Sequence, residues 1–520
     1  MPYKIAPTTL SLGFAFWLSA CATSQSSTLA NSSGAKCNFT VLHTNDHHGH
    51  PLRFDNPPQK AVGGLPARLF YVNSIRKSQK NVLVLDAGDI NTGRPESNFF
   101  DAEPDIVGYN AIGYDAIALG NHEFDKSLMV LQKQIESSKS PFLSANVIQK
   151  QNNSTLPHVK PYIIKDFGDC RVAVIGLLAS STQEEISPES LATLRIEDEI
   201  AVAQNLVPIL KKQADFVIAL THAGIDESDD SGSRKIAKNV AGIDLVVDGH
   251  THTKLEKPLL VKNSVTKKNV PIVQAHEWGL EVGKTEVSLH ASGETSVHFE
   301  NVAIDSSLPE DENLRQKLSP YSEKMEGILS QNVATATAEF EIGKHREMET
   351  PIGNLLAESV WTKTKTHKPD LVFVNAGSIR ASLRKGPVTQ KNIFEMLPYD
   401  NAIVLLTLKG AELRTIFATA AALPPGKGAF PSIAGASFTF SRSSKKIISV
   451  KIGKKDLDDN KLYRIATHSY LASGGDGYGT FKNGTNVFNT SVSLRDAMVE
   501  HAKILETIFP QTDGRIVIKE

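Results

Sequence analysis

Cysteine is scarce, with three residues in a chain of 520. Neither Cys37 nor Cys170 sits in a metal-ligand or nucleophile pattern, which sets cysteine chemistry aside. Each can pair within the mature chain only with the other, and the sequence leaves open whether they meet. A surplus of charge is missing too. Lys+Arg number 56 and Asp+Glu 57, for a net charge of −1. The chain has no basic footprint for a nucleic-acid polymer, so any anion recognition must be local. Long apolar runs are also lacking. "LSLGFAFWL" at 10–18 is too short for a comfortable membrane span. The remaining composition, 40% hydrophobic and 22% charged, is that of a globular protein, and the length is too great for one core. Two domains are expected.

The N-terminus reads as a targeting segment. Lys4 precedes the apolar stretch, and "LSAC" at 18–21 ends it. An aliphatic residue, two small residues and cysteine resemble a bacterial lipobox. That resemblance implies cleavage before Cys21 and lipidation of its sulfur; an ordinary signal peptide cut nearby is the alternative. Residues 22–36 form a Ser/Thr-rich tether, as an anchored protein needs. Ala22 favours the outer membrane, with the protein facing the periplasm or the cell surface.

One pattern recurs through the first half of the chain. A strand-length apolar run is followed at once by polar, metal-competent residues. The instances are "FTVLHTNDHHGH" (39–50), "VLVLDAGDINTG" (82–93), "AIALGNHEFD" (116–125), "FVIALTHAG" (216–224) and "LVVDGHTHT" (245–253). Helix-like stretches such as residues 65–78 separate them, which indicates an α/β fold with helices covering the sheets. Ligands collect beyond the carboxyl ends of strands in such sheets, so the five clusters can converge. Side chains at i and i+2 of an extended segment point the same way, so His250 and His252 are expected to face one centre. Imidazoles and carboxylates from several loops suit Zn, Mn, Fe or Co.

Taken in order, "LHTNDHHGH", "GDINTG", "GNHEFD", "THAG" and "GHTH" resemble the 5′-nucleotidase family of calcineurin-like metallophosphoesterases. The likeness includes "VQAHEWG" (273–279) and "GGDGY" (474–478) and runs from about residue 38 to about 515. It implies a four-layer β-sandwich flanked by helices, then a C-terminal α/β nucleotide-binding domain. It also implies two divalent cations (Zn, Mn, Co or Mg). Asp46, His48 and His252 would hold one; Asn121, His222 and His250 would hold the other; Asp89 would bridge them. Such cations lower the pKa of bound water toward roughly 7 and neutralise charge on a phosphoryl group. His122 and Asp125 match the family's catalytic dyad. At His252 the bacterial UDP-sugar hydrolase type has Gln and the animal enzyme His, so metal preference does not transfer from the bacterial relative. His43, His47, His50, Glu123 and His276 are read as supporting residues.

The metal domain is expected over 37–303 and a charged linker helix over 304–333, with packing onto the first domain alone as the alternative. The C-terminal domain would occupy 334–520. There, Tyr399 and Tyr470 match two rings that sandwich the nucleobase, and Asp476 matches the acid that binds ribose hydroxyls. Arg346 and Arg380 match arginines for the substrate's anionic groups. Asn375 and Asn401 match base contacts. A third Arg of the bacterial pattern falls near Ile342, where either Lys344 replaces it or the anion pocket is weaker. Domain rotation is expected to close the cleft. The implied activity is hydrolysis of nucleoside 5′-monophosphates, extending to UDP-sugars, ATP, ADP or NAD, by a monomer serving nucleotide salvage. A 2′,3′-cyclic nucleotide phosphodiesterase/3′-nucleotidase and a non-catalytic nucleotide-binding surface lipoprotein remain as alternatives.

Overall fold

A computed structural model describes residues 35–519 apart from 57, 185, 187, 226, 227, 229, 293 and 400. The signal segment, Cys21 and the tether up to residue 34 lie outside the described residues. No helix among the described residues is long and apolar enough to cross a membrane.

Two six-stranded sheets build the first half. One carries the parallel strands Ala35–Thr44, Val82–Asp86, Ala116–Ala118 and Phe142–Leu143, extended by the antiparallel strands Glu281–His290 and Thr295–Ala303. The other carries the parallel strands Arg171–Leu178, Phe216–His222, Leu245–Val247 and Asn269–Val273. Alternation along each strand sets the layers. Val41, Leu83, Leu85, Val174, Ile218 and Val247 share the core between the sheets. Their neighbours Leu42, Val84 and Ile117 pack outward under helices Leu65–Ser78 and Glu103–Ile112. On the far side, Ile175, Val217 and Val246 pack under helix Glu199–Leu210. The order is helix, sheet, sheet, helix, as the resemblance implies. Phe216–His222 is buried along its whole length, the expected state of a central parallel strand.

Cys37 and Cys170 form a disulfide across 133 residues. Both lie in the core between the sheets, 4% and 3% exposed, and the bond ties the first strand of one sheet to the start of Arg171–Leu178 in the other. The sequence left this pairing open. Because so long a loop is closed, the Cys37→Ser/Cys170→Ser double variant should lose about 2–4 kcal/mol of stability. Its melting temperature should fall while metal content is retained. An unchanged melting temperature would show that the bond adds no stability.

Helix Glu312–Leu329 starts at Asp311, whose carboxylate accepts the Leu314 N–H at 2.9 Å. Leu314 and Leu318 join the core of the first half, whereas Met325 and Leu329 pack on Phe394 of the second. The helix therefore bridges the halves as well as packing on the first. The second half centres on a five-stranded mixed sheet with Leu371–Asn375 and Leu462–His468 parallel at its middle. Helices Pro351–Thr364 and Leu494–Leu505 contribute to the core on one face and helix Gly410–Ala422 to the core on the other. The halves meet through Arg94 to Glu395 at 2.5 Å, Asn98 Nδ2 to the Pro398 carbonyl at 2.6 Å and the stacked rings of Phe99 and Phe394.

Candidate metal centre and active-site cleft

The parallel strands of both sheets end at one edge of the sandwich, and the five polar clusters meet there. The backbone turns tightly as it leaves the strands. Asp46, His48, Asp89, His250 and His252 all have positive φ, between 46° and 80°. Non-glycine residues rarely adopt that region, and such strain collects at functional sites. The result corrects the expected geometry of His250 and His252. The strand ends at Val247, and left-handed turns rather than strand alternation aim the two rings. They also part company: His250 Nδ1 faces Asn121 Oδ1 at 3.2 Å, whereas His252 Nε2 faces Asp46 Oδ1 at 3.4 Å.

Electron-rich atoms face one another throughout this edge. His222 directs its Nδ1–H at the Ala87 carbonyl, 2.7 Å away, so in the neutral ring Nε2 is the nitrogen with the lone pair. That Nε2 stands 3.0 Å from Asp89 Oδ2 and 3.1 Å from Asn121 Oδ1. His48 directs Nδ1–H at the Thr92 carbonyl, 3.0 Å away, and the Glu277 carboxylate takes the Nδ1–H of His252. Their two Nε2 atoms consequently face each other at 3.1 Å. Donor atoms around a cation bound at about 2.0–2.1 Å stand roughly 3 Å apart, so these spacings fit divalent metal ions. Three ligand-spaced groups occur among the described residues: Asp46–His48–His252, His48–Asp89–His122 and Asp89–His222–His250. Gly120 allows the closeness: a Cβ there would stand 2.2 Å from Asp89 Oδ1.

His122 opens a short 3-10 turn next to Asn121. Its Nδ1 meets Asp125 Oδ2 at 2.7 Å, and Thr92 hydrogen-bonds the same carboxylate oxygen. Burial disfavours the imidazolium, but the charges of Asp125 and Asp89 outweigh it and raise the pKa above the usual histidine value. Nε2 is left facing the centre, 4.0 Å from Asp89 Oδ2.

The substrate-binding candidates of the second half line the same cleft. Arg346, Asn375, Arg380, Tyr399, Asn401, Tyr470 and Asp476 share it with His48, Asp89, Asn121, His122, Asp125, His250 and His252. Arg380 is held cationic by Tyr399, Asp125 and Asp89 around it. Tyr399 lies beside the dyad, its ring 5.9 Å from that of His122 at 22°. Asp476 is gripped at both oxygens, by Asn375 Nδ2 at 2.6 Å and by the Tyr470 hydroxyl at 3.2 Å. Ile342 lines the cleft, but Lys344 is exposed and is not among the lining residues, whereas Arg384, Lys385 and Lys427 are.

The supporting residues divide. His47 lies behind the centre, between Asp105 (2.9 Å) and Arg68 (3.2 Å). His50 stacks on Trp278, and His43 is buried against Phe299. Glu123 accepts the N–H groups of Asp89, Ile90 and Gly120 and so fixes the turn that carries Asp89. Sequence reasoning passed over Glu277 and Thr92. Both sit inside quoted motifs, but nothing in one dimension shows which histidine or carboxylate each would reach.

A helix–sheet–sheet–helix sandwich with histidines, carboxylates and Asn at the shared strand edge is the arrangement of a metal-dependent phosphohydrolase. Comparison with known proteins agrees. The calcineurin-like phosphoesterase profile matches residues 39–254, and the 5′-nucleotidase C-terminal domain profile matches residues 332–483. The 5′-nucleotidase of Vibrio vulnificus is 34% identical over 519 residues, covering 91% of each chain. Protein UshA of Escherichia coli is 31% identical over 496 residues, covering 87% of this chain and 88% of that one. Among solved structures, the 5′-nucleotidase precursor from Thermus thermophilus superposes with TM-score 0.83 at 28% identity, covering 93% of this chain and 99% of that one. The chain belongs to the 5′-nucleotidase family, with an N-terminal metallophosphoesterase domain and a C-terminal 5′-nucleotidase domain.

Proposed function

We propose that this chain hydrolyses nucleoside 5′-monophosphates to nucleoside and phosphate with two divalent cations. The observation that carries the reading is that the ligand-spaced groups, the His122–Asp125 pair and the Asn375–Tyr470–Asp476 cluster all open into one cleft. Residues 37–303 would form the metal domain, 304–333 the link and 334–520 the nucleotide domain. Asp46, His48 and His252 would hold one cation and Asn121, His222 and His250 the other, with Asp89 shared. Cations held there supply Lewis acidity and a deprotonated water at neutral pH.

The protein's own groups do the rest. Arg380 is charged and close to the dyad, and it orients the phosphoryl group. His122 donates its Nε2 proton to the departing 5′ oxygen, while Asp125 holds the ring and keeps it cationic. Tyr399 closes the side of the cleft beside His122. Asp476 accepts hydrogen bonds from the ribose hydroxyls, and the exposed part of Tyr470 offers a surface for the base.

The open cleft, ≈ 2740 Å³, also has room for UDP-sugars, ATP, ADP or NAD, which we include as further substrates. A solved structure of similar fold is the NAD nucleotidase of Haemophilus influenzae, at TM-score 0.56 and 25% identity. Rates of substrate loss, with the organic products identified, for AMP, 3′-AMP, a 2′,3′-cyclic nucleotide and UDP-glucose test the reading. AMP should be converted to adenosine fastest among the monophosphates. Preference for the cyclic nucleotide or 3′-AMP would overturn it.

Export and an outer-membrane lipid anchor at Cys21 complete the proposal, with a salvage role: nucleosides cross membranes and nucleotides do not. Cys21→Ser should move the protein from the membrane fraction to the soluble fraction. Retention on the membrane would place the anchor elsewhere.

A further inference from the structure

His468 is fully buried at the end of strand Leu462–His468 and takes no part in the chemistry above. Its Nε2 stands 2.9 Å from Asn375 Oδ1, and Nδ1 meets no partner among the described residues. Burial lowers its pKa to about 3, so the ring is neutral, and its single proton lies on Nε2, where an acceptor waits.

Asn375 is held at both ends of its amide, and His468 is on the carbonyl side. The amide oxygen accepts from His468 Nε2 and also from Ser378 Oγ, at 2.5 Å. Turning the amide over would set its oxygen against the Asp476 carboxylate, which can only accept, and would take the acceptor away from His468 and Ser378, so the carbonyl stays on the His468 side. The NH₂ is thereby aimed at Asp476 Oδ2, 2.6 Å away. Asp476 Oδ1 takes the Tyr470 hydroxyl, and the Tyr470 ring lies parallel to the His468 ring at 6.2 Å and 8°. His468 thus bonds one of the residues that hold the carboxylate and lies parallel to the ring of the other. Asp476 itself sits at φ 55°, a conformation that needs such support. One oxygen faces Asn375 and the other Tyr470, and the carboxylate lines the cleft, a placement that suits two neighbouring hydroxyls.

We infer that His468 is a positioning residue that, with Ser378, locks the Asn375 amide and so holds Asp476 ready for the two ribose hydroxyls of a ribonucleotide. The inference rests on the nucleotide reading of the cleft. It makes the discrimination of ribose from deoxyribose depend on a residue buried behind the pocket.

Kinetics on AMP, 2′-deoxy-AMP and p-nitrophenyl phosphate with wild type, His468→Leu and His468→Gln test it. Leucine fills similar space without the donor. It should raise KM for AMP about 2–10-fold, the span of one neutral hydrogen bond, with kcat nearly unchanged. The preference for AMP over 2′-deoxy-AMP should shrink, and KM for p-nitrophenyl phosphate should stay the same. His468→Gln restores an N–H donor and should recover much of the preference. Equal losses on all three substrates, or no loss on AMP, would overturn the inference while wild type still favours AMP over the aryl phosphate. A wild type without that preference would overturn the nucleotide reading and this inference with it.

Discussion

Asp89→Ala should abolish turnover, lowering kcat/KM by about 10⁴-fold or more, which is roughly 5–6 kcal/mol of transition-state stabilisation. The reason lies in how much converges on one carboxylate. Oδ2 stands 3.0 Å from His222 Nε2 and 3.9 Å from His48 Nε2, so it faces both halves of the centre. Oδ1 receives the His122 backbone N–H at 2.9 Å, which ties the dyad's turn to the same side chain. Removing it would take away the negative charge we propose two cations share, and would loosen the turn. Asp89→Asn keeps the shape and loses the charge, so it separates these effects. Both variants should purify with less metal than wild type. A variant with full metal content and more than a tenth of the activity would contradict the assignment.

His122→Ala should behave differently. Loss of a general acid costs about 10²–10⁴-fold in kcat, with KM little changed because the group acts in the transition state. The cost should shrink for an aryl phosphate, whose leaving group needs less help from a proton. Metal content separates this role from ligation. His48, Asp89 and His122 also form a ligand-spaced group, so His122 is itself a ligand candidate by distance. The geometry favours the acid, since His122 Nε2 stands back at 4.0 Å from Asp89 Oδ2, where His222 Nε2 approaches to 3.0 Å, and Asp125 holds its Nδ1 at 2.7 Å. Unchanged metal with collapsed kcat is the expected pair of results. Lost metal would make His122 a ligand.

Much of the site was legible because parallel α/β sheets write their function at strand ends. An apolar run that stops at Asp, Asn or His marks a position on the carboxyl edge, and five such marks define that edge from the sequence. What the sequence could not show were the contacts made across it. Glu277 behind His252 and His468 behind Asn375 are single residues whose partners lie 25 and 93 positions away. Local reasoning also misjudged His250 and His252, because alternation assumes an extended chain and the ligand loops are left-handed. The Cys37–Cys170 bond depends on two sheets facing each other, a relation that spacing along the chain does not encode. Lys344 failed as a substitute arginine for a similar reason, since nearness in sequence left it outside the cleft.

The most direct measurement is mass spectrometry of the products formed from AMP in oxygen-18 water, with enzyme stripped of metal and then restored with Zn, Mn, Co or Mg. The account predicts metal-dependent release of adenosine without label and phosphate carrying one atom of oxygen-18, as attack of water on phosphorus requires. Label in adenosine, or no adenosine with any of the four metals, would contradict it.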